Sequence, residues 1–171
     1  MNLNTKIIWL TGLSGTGKTT LSDILKKKLS NKKTLLVDGD KFRKKRKKNK
    51  FNREEITKNN YEIIKFVKKN FKKYNYIIVS VISPLKITRK YSKKIFKNNY
   101  YEIYLYCSKS KLFQRDPKGL YLKAKKGIIK NLIGYNSEIK YEKTNYKKLN
   151  LNTGIMSKKK CLNRIIKYIQ T

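Results

Sequence analysis

The feature that most constrains this chain is a glycine-rich loop near its N-terminus. Residues 12–19 read GLSGTGKT and match the pattern G-x-x-x-x-G-K-[ST], between a short apolar run and an amphipathic stretch. Glycines let a backbone wrap closely around a phosphate, and the free N–H groups and dipole at the start of the following helix favour its negative charge. The loop therefore predicts a strand–loop–helix unit that binds a nucleotide. A chance match is the alternative, and the position between a strand and a helix disfavours it.

Two side chains of this loop have predicted chemical roles. Lys18 would reach the β- and γ-phosphates of ATP, and the Thr19 hydroxyl would bind Mg²⁺. ATP and Mg²⁺ are therefore the predicted cofactors. The residues predicted to contact the donor nucleotide within the loop are Gly12, Leu13, Ser14, Gly15, Thr16, Gly17, Lys18, Thr19 and Thr20.

Short apolar runs rich in β-branched and aromatic residues alternate with longer amphipathic stretches. Because strands separated by helices need crossover connections, the sheet should be mainly parallel, with helices on both faces. This is the three-layer α/β fold of P-loop NTPases, in which ligands bind beyond the carboxyl ends of the strands. The predicted strands are Lys6–Leu10, Thr34–Val37, Tyr76–Ile82 and Tyr101–Cys107, and the predicted helices are Lys18–Leu29, Arg53–Phe71, Ile87–Lys97 and Met156–Ile169.

The length of the chain predicts its domain organisation. A chain of 171 residues is typical of one domain, and we expect a single P-loop domain over residues 1–171. Between Gly119 and Leu151 the sequence is rich in Gly and Lys and shows little strand signal. Such a stretch is typical of a mobile lid over an active site, which we expect at about residues 117–145. A disordered loop is the alternative.

The charge of the chain is strongly positive, with 45 Lys plus Arg against 10 Asp plus Glu and a formal net charge of +35. Such an excess is typical of proteins that bind nucleic acid or anionic membranes. Here the lysines are spread along the whole chain with abundant Asn, Ile and Tyr, a mixture that A+T-rich codons produce. We therefore attribute the excess to compositional drift and do not expect a nucleic-acid partner.

Residue content disfavours several classes of site and location. The chain has no histidine, which excludes catalysis by His and zinc sites that contain His. Its two cysteines, Cys107 and Cys161, are too few for a disulfide scaffold, so we expect reduced thiols. The apolar run near the N-terminus is too short for a signal sequence or a membrane span. The predicted location is cytoplasmic, without membrane contact.

Charged residues follow the second predicted strand. Asp38, Asp40 and Arg43 would face the crevice beside the glycine-rich loop, because ligands of such sheets lie at the carboxyl ends of the strands. Two carboxylates and a guanidinium suit the water ligands of Mg²⁺, a hydroxyl proton and the phosphate of an acceptor. A plain turn with surface charges is the alternative.

Five blocks of sequence resemble the adenylylsulfate (APS) kinase family over most of the chain. They are the segment 9–20, DGDKFR at 38–43, the segment 51–60, ISPLKITR at 82–89, and RDPKGLY at 115–121 with Ala124, Gly127, Gly134, Tyr141 and Glu142 beyond it. The resemblance implies a P-loop kinase that transfers the γ-phosphate of ATP to the 3′-hydroxyl of adenosine 5′-phosphosulfate (APS). The product would be 3′-phosphoadenylylsulfate, an intermediate of sulfate assimilation.

The resemblance also implies catalytic roles. Arg43 would bind APS, and Asp38 or Asp40 would orient or deprotonate the 3′-hydroxyl. Ser83 is a secondary candidate because some family members carry a phosphoserine there, and a hydroxyl that caps the loop is an equal alternative. The predicted catalytic residues are Lys18, Asp38, Asp40 and Ser83, and the predicted metal ligands are Thr19 and Asp38.

In the family the lid closes over both nucleotides. By resemblance, Arg115 would lie near the ATP adenine and Lys118 near the phosphates, while Phe51 would pack on the adenine of APS. The predicted substrate-binding residues are Asp40, Arg43, Phe51, Asn59, Ile82, Ser83, Lys86, Lys118, Gly119, Leu120 and Leu132.

Three positions depart from the family pattern. Ile56 and Lys86 stand where the family has Arg, and Leu132 stands where it has the aromatic residue of the lid. Stacking of a base on an aromatic ring is worth about 1–3 kcal/mol, so we expect weaker binding of APS than in a typical member. Arg89 matches the family, and with Lys86 it is predicted to form an anion-facing rim.

Two alternative functions stay open at this point. One is a P-loop kinase for another small hydroxyl acceptor, such as a nucleoside or a sugar acid. The other is a degenerate P-loop protein that binds nucleic acid through its lysines, above all in the stretch Lys41–Lys50. A homodimer is compatible with the resemblance, but the sequence does not determine the oligomeric state.

Overall fold

A five-stranded parallel sheet forms the centre of the fold in the computed structural model, which describes residues 4–44 and 52–170. The strand order is β2-β3-β1-β4-β5, and each neighbouring pair is parallel. The central strand β1 therefore leads into the glycine-rich loop with a strand on either side. The strands are β1 (Lys6–Thr11), β2 (Thr34–Asp38), β3 (Tyr76–Ser80), β4 (Tyr100–Tyr106) and β5 (Leu149–Asn152).

Helices cover both faces of the sheet, and the predicted three-layer α/β fold is confirmed. Helices α1 and α7 pack on one face, whereas α3 and α4 pack on the other. The remaining three helices are short. The helices are α1 (Lys18–Lys28), α2 (Gly39–Lys44), α3 (Arg53–Asn70), α4 (Lys86–Phe96), α5 (Lys109–Arg115), α6 (Leu120–Lys125) and α7 (Lys158–Gln170).

Strand β1 shows why the sheet is buried on both sides. Ile7 and Trp9 point to the face covered by α3 and α4, while Ile8 and Leu10 point to the face covered by α1 and α7. All four side chains are fully buried. A parallel strand covered on both faces therefore reads as a continuous apolar run, as the sequence showed.

The predicted strands and helices are present, with ends that differ by at most two residues. The sequence analysis did not predict α2, α5, α6 and β5. Both α6 and β5 lie in the stretch that was expected to hold little regular structure. In β5 the buried Leu151 pairs beside β4, so this short strand depends on its neighbour in the sheet. Within residues 4–44 and 52–170, no helix is long and apolar enough to cross a membrane.

Candidate active site

The glycine-rich loop leaves β1 and turns into α1 through two glycine-specific conformations. Gly12 has φ of 142°, and a Cβ at this position would lie 2.1 Å from the carbonyl oxygen of Leu105 on β4. Gly17, the N-terminal cap of α1, has φ of 86°. Only glycine adopts both conformations at low cost. The loop is therefore fixed against β4 with the N-terminus of α1 open towards a ligand.

Lys18 folds back over this loop. Its Nζ donates to the carbonyl oxygens of Gly12 (2.9 Å) and Leu13 (2.8 Å). Burial lowers the pKa of the Lys18 ammonium to about 8, while the charge of Asp40 acts in the opposite direction. Thr19 lies in the first turn of α1 with an exposed side chain, as expected for a ligand of a phosphate-bound metal.

Two carboxylates lie at the end of β2, as the sequence predicted. The Oδ1 atom of Asp38 accepts hydrogen bonds from the backbone N–H groups of Asp40 (2.9 Å) and Lys41 (3.0 Å), and so stabilises the start of α2. Asp40 forms an ion pair with Lys118. Partial burial raises the pKa of the Asp40 carboxyl, but the hydrogen bond and charge of Lys118 outweigh it, so this pKa lies below its ordinary value.

The charges of this region act on one another. Besides Asp40, the charges of Lys118 and Asp38 contribute to the pKa of Lys18, and Arg43 contributes to that of Asp40. The structure therefore brings together one P-loop cation, two carboxylates and one cation of the lid segment, residues 117–145. Such a cluster can hold a polyphosphate, a metal and an acceptor hydroxyl.

The lid segment lies on the glycine-rich loop. The Tyr121 hydroxyl donates to the carbonyl oxygen of Ser14 at 2.9 Å, and burial raises its pKa to about 12, so it stays a neutral donor. Gly134 packs so closely on Leu13 that a Cβ would lie 2.5 Å from a Leu13 methyl group. These contacts place the lid segment over the predicted nucleotide site. Gly119 starts α6 with φ of 63°.

Arg115 connects three parts of the site. Its guanidinium donates to the hydroxyl (3.2 Å) and the carbonyl of Thr153, which follows β5, and to the carbonyl oxygen of Gly15 (3.5 Å). The Thr153 hydroxyl in turn donates to the carbonyl oxygen of Thr16 at 3.0 Å. Thr153 was not predicted, because no motif marks it. The expected position of Arg115 beside the ATP adenine stays a prediction.

Ser83 lies three residues beyond β3 and is almost fully buried. Its hydroxyl donates to Oδ1 of Asn60 and accepts a hydrogen bond from Nε1 of Trp9 at 3.2 Å. The hydroxyl is thus engaged on two sides by side chains of α3 and β1. Its catalytic role stays a prediction.

Asn59 has an unusual environment. Its side chain is 2% exposed, yet neither its nitrogen nor its oxygen has a hydrogen-bond partner among the described residues. An unsatisfied buried amide is costly, and a bound ligand is one means of satisfying it. This environment fits the predicted contact between Asn59 and the acceptor.

Apolar residues occupy two of the three positions that depart from the family pattern. Ile56 is 1% exposed and packs in a cluster with Leu85 and Ile133. Leu132 is also buried and packs against Tyr121, with the half-buried Leu120 beside the same cluster. Ile82 and Ile139 pack at the edge of the Ile56 cluster. Phe51 lies outside the described residues.

The prediction of an anion-facing rim is wrong for Arg89. This side chain is 1% exposed, and its guanidinium donates to the carbonyl oxygens of Ser83 and Glu142. Lys86 is exposed at the start of α4, and its backbone N–H donates to Glu142 Oε2 at 2.7 Å. The fork of Arg89 therefore binds the protein backbone, where the sequence analysis assigned it to a ligand.

Comparisons with known proteins agree with this geometry. The model of the adenylylsulphate kinase family matches residues 4–152. The adenylyl-sulfate kinase of Clostridium acetobutylicum is 34% identical over 96% of this chain and 82% of its own length. The cytidine diphosphoramidate kinase of Campylobacter jejuni is 39% identical over 81% of this chain and 82% of its own length.

A solved structure supports the fold along the whole chain. The APS kinase of Mycobacterium tuberculosis in complex with AMPPNP and APS superposes with a TM-score of 0.88 at 24% identity, and the match covers 99% of both chains. The family model covers most of the 171 residues, including the glycine-rich loop, both aspartates and the lid segment. This chain therefore belongs to the adenylylsulphate kinase family.

Proposed function

We propose that the protein transfers the γ-phosphoryl group of ATP to the 3′-hydroxyl of APS, giving 3′-phosphoadenylylsulfate and ADP. The observation that carries this proposal is the cluster of Lys18, Asp38 and Asp40 with Lys118 of the lid segment, in a chain of this family. Catalysis then rests on positioning and on the neutralisation of phosphoryl charge, and it needs no covalent intermediate with the protein.

The donor site follows from the glycine-rich loop. Backbone N–H groups at the start of α1 would bind the phosphates, and Lys18 would exchange its bonds to Gly12 and Leu13 for bonds to the β- and γ-phosphates. Lys118 would supply a second positive charge from the lid segment. Closure of this segment would exclude water, which competes with the acceptor for the phosphoryl group.

The residues at the end of β2 and the start of α1 fit a magnesium ion. Mg²⁺ usually takes one or two protein oxygens and completes its shell with water and substrate phosphates. Thr19 and Asp38 would hold it, and the described residues contain no cluster of three or more His, Cys, Asp or Glu side chains that would form a site without the nucleotide. The ion would neutralise charge on the phosphoryl oxygens.

The acceptor hydroxyl would lie beside Asp40. The hydroxyl oxygen would attack the γ-phosphorus in line with the bond to the β–γ bridging oxygen. That bond breaks as ADP leaves, and the hydroxyl proton passes by way of Asp40 to solvent. Because the pKa of Asp40 is lowered, this carboxylate is ionised and can accept a hydrogen bond from the hydroxyl, so it suits orientation better than retention of the proton. Arg43 would bind the anionic group of the acceptor. The buried side-chain amide of Asn59 would find its hydrogen-bond partner on the same acceptor.

A second acceptor has specific support. The relative from Campylobacter jejuni is a cytidine diphosphoramidate kinase, so relatives at this level of identity differ in acceptor. In this chain Ile56 and Leu132 are buried apolar residues where the family pattern has an arginine and an aromatic residue. A smaller base such as cytosine would depend less on the aromatic face that is missing at Leu132.

An acceptor panel tests the proposal. Purified protein with MgATP would be given APS, cytidine diphosphoramidate, a nucleoside, a sugar acid and an oligonucleotide, with ADP release and the phosphorylated product both measured. We expect turnover with APS at the highest kcat/KM. A higher kcat/KM with cytidine diphosphoramidate than with APS would show that cytidine diphosphoramidate is the acceptor. Salt-sensitive binding of the oligonucleotide without turnover would contradict the kinase assignment.

A pair of lysine variants tests the site itself. Lys18→Ala should abolish turnover while the circular dichroism spectrum stays that of the parent protein, because the cation that binds the phosphates is lost. Lys28→Ala is the matched control, since Lys28 is an exposed lysine in the last turn of the same helix. Equal losses in the two variants would contradict a specific role for Lys18.

The proposal also includes the oligomeric state and the cellular location of the protein. A homodimer stays a prediction, which sedimentation of the purified protein would test. We also propose a cytoplasmic location, in keeping with the free thiols of Cys107 and Cys161.

A further inference from the structure

Arg89 on α4 joins two segments that are distant in sequence. One nitrogen of its guanidinium donates to the carbonyl oxygen of Ser83, beyond the end of β3, and the other donates to the carbonyl oxygen of Glu142. Glu142 lies in the last part of the lid segment. We term residues 141–146 the return arm, because they lead the chain back towards β5. One buried side chain thus connects the acceptor side of the sheet with the lid.

Glu102 on β4 reaches the same return arm from the other side of Arg89. Its Oε1 lies 3.4 Å from Nε of Arg89, as an ion pair without hydrogen-bond alignment, and both side chains are 1% exposed. Its carboxylate also accepts hydrogen bonds from Tyr146 and, at 3.4 Å, from the Thr144 hydroxyl. Both members of the buried pair therefore contact the return arm.

Tyr141 extends the connection to the glycine-rich loop. Its ring lies 4.5 Å from the guanidinium carbon of Arg89 and stacks on Tyr104 at a centroid distance of 4.6 Å. Its hydroxyl is 3.0 Å from Oγ1 of Thr11, the last residue of β1, and Thr11 also donates to the carbonyl oxygen of Ile82. The return arm is thus fixed where β1 enters the loop and where the chain leaves β3.

Ser83 shows that this arrangement is imposed on the backbone. It has φ of 43° and precedes Pro84, although a non-glycine residue before proline strongly prefers extended backbone. Such a conformation persists only when the surroundings impose it, and it often occurs at functional sites. Here Arg89 binds the Ser83 carbonyl, and Asn60 and Trp9 bind its hydroxyl.

We propose that Arg89 and Glu102 are a positioning pair, which fixes the return arm of the lid on the acceptor side of the sheet through the carbonyls of Ser83 and Glu142. Neither residue would touch the substrates. The inference rests on the proposed function, because it assigns the pair to acceptor binding in that reaction.

Physical chemistry favours this role over a purely structural one. A buried ion pair contributes little to stability compared with apolar residues of similar size, because both charges must be desolvated. An arginine can donate to two carbonyls in a fixed geometry, which a lysine cannot reproduce. The bonds that distinguish this pair from an apolar replacement are those of Arg89 to the two backbone carbonyls and those of Glu102 to the hydroxyls of Thr144 and Tyr146.

Three variants separate positioning from stability. Arg89→Lys and Glu102→Gln each remove part of the pair, while the double variant Arg89→Met with Glu102→Leu replaces both charges by apolar groups of similar size. Arg164→Lys, at an exposed arginine of α7, is the matched control. For each protein, thermal unfolding, KM for ATP, KM for APS and kcat would be measured.

We expect the KM for APS to rise roughly tenfold, equivalent to about 1.4 kcal/mol, in Arg89→Lys and in the double variant. The KM for ATP should change by less than about twofold, because the direct bonds of the pair go to Ser83 and the return arm and not to the glycine-rich loop. The double variant should recover part of the thermal stability lost in the single variants, because no charge is left buried without its partner, and it should not recover the KM for APS. Recovery of both together, or an equal rise in both KM values, would overturn the proposal.

Amide hydrogen exchange gives a readout that does not depend on the acceptor. Arg89→Lys should accelerate exchange in residues 141–146 while β1 and β3 keep their protection, and Arg164→Lys should change neither. Unchanged exchange in the return arm would overturn the positioning role even if APS proved to be the wrong acceptor. Failure of the parent protein to phosphorylate APS, with faster exchange in Arg89→Lys, would instead reject only the proposed function.

Discussion

Two arginines of this chain, Arg89 and Arg115, use their planar forks to bind backbone carbonyls around the site. Arg89 binds the carbonyls of Ser83 and Glu142, and Arg115 binds those of Thr153 and Gly15. The sequence predicted an anion-facing position for Arg89 and a position near the ATP adenine for Arg115. It could not distinguish a carbonyl from a substrate anion as the partner, because both accept from the same fork.

The first prediction at this scale concerns the pH dependence of ATP binding. The pKa of Lys18 is lowered to about 8, so in the free protein this side chain loses its charge as the pH rises through that value. We expect kcat/KM for ATP to fall above about pH 8. The fall in kcat should occur at a higher pH than the fall in kcat/KM, because bound phosphates favour the charged ammonium of Lys18. A pH–rate profile would check this, and a kcat/KM without change between about pH 7 and 9 would contradict it.

The lowered pKa of Lys18 also affects the stability of the fold, which should rise with pH where ATP binding falls. Lysine in an unfolded chain has a pKa of about 10.4, so between about 8 and 10.4 the unfolded state binds more protons than the folded state at this site. The contribution of Lys18 to stability therefore rises with pH across that window. Urea unfolding of the parent protein and of Lys18→Met at about pH 8 and at about pH 10.4 would measure this contribution. The same change of stability with pH in both proteins would contradict the lowered pKa of Lys18.

Thr153 supports a second prediction at the residue scale. Its hydroxyl donates to the carbonyl oxygen of Thr16 and accepts from Arg115. Thr153→Val should destabilise the protein by about 1–3 kcal/mol, because the Thr16 carbonyl loses a buried hydrogen bond and Arg115 loses a partly buried one. It should also raise the KM for ATP, since the glycine-rich loop loses a support. Thr153→Ser keeps the hydroxyl and is the matched control, and similar KM values in both variants would argue against a role of this bond.

At the scale of elements, the glycine-rich loop, four strands and four helices were predictable from the sequence because each has a strong local pattern. The short elements around the site were not. Helix α2 begins where Asp38 accepts two backbone N–H groups, and β5 exists through its pairing with β4. Helix α6 packs on the glycine-rich loop through Tyr121. Short elements gain most of their stability from such tertiary contacts, which local propensity does not reveal.

The contact between the lid segment and the glycine-rich loop can be tested with two glycines. Gly134 and Gly127 have φ of 90° and 74°, so alanine would incur a similar backbone cost of roughly 1–2 kcal/mol at each. Only at Gly134 would the new Cβ meet Leu13, at 2.5 Å, whereas nothing lies within 4 Å at Gly127. Gly134→Ala should therefore lower kcat/KM and thermal stability more than Gly127→Ala. Equal effects would show that the close approach to Leu13 does not matter for turnover.

At the scale of the whole molecule, the few acidic residues occupy particular positions in a chain with a net charge of +35. Asp38 stabilises α2, Asp40 pairs with Lys118, and Glu102 and Glu142 bind Arg89 and Arg53 respectively. Each of these four carboxylates therefore has a specific partner in or beside the candidate site. The positive surface that remains should attract anionic substrates.

Ionic strength tests this attraction. Raising it from about 0.01 M to about 0.15 M shortens the Debye length from about 30 Å to about 8 Å, so kcat/KM for both anionic substrates should fall. The value of kcat at saturation should change much less, because it does not depend on encounter. Stopped assays across a salt series would check both. A kcat/KM without salt dependence would remove the steering effect and leave the proposed chemistry unchanged.

The sequence by itself determined the parallel three-layer fold, the nucleotide loop and the family, because these depend on local patterns such as the glycines of the loop and the buried run of β1. The tertiary structure decided which charged groups meet. Lys118 reaches Asp40, and Arg89 reaches the carbonyl of Glu142, across long separations in sequence. Arg89 also meets Glu102 on β4 and the carbonyl of Ser83 beyond β3. The physical reason is that the fork of Arg89 and the ammonium of Lys118 bind any suitable acceptor, and only the packing of α4, β4 and the lid segment brings a particular one within reach.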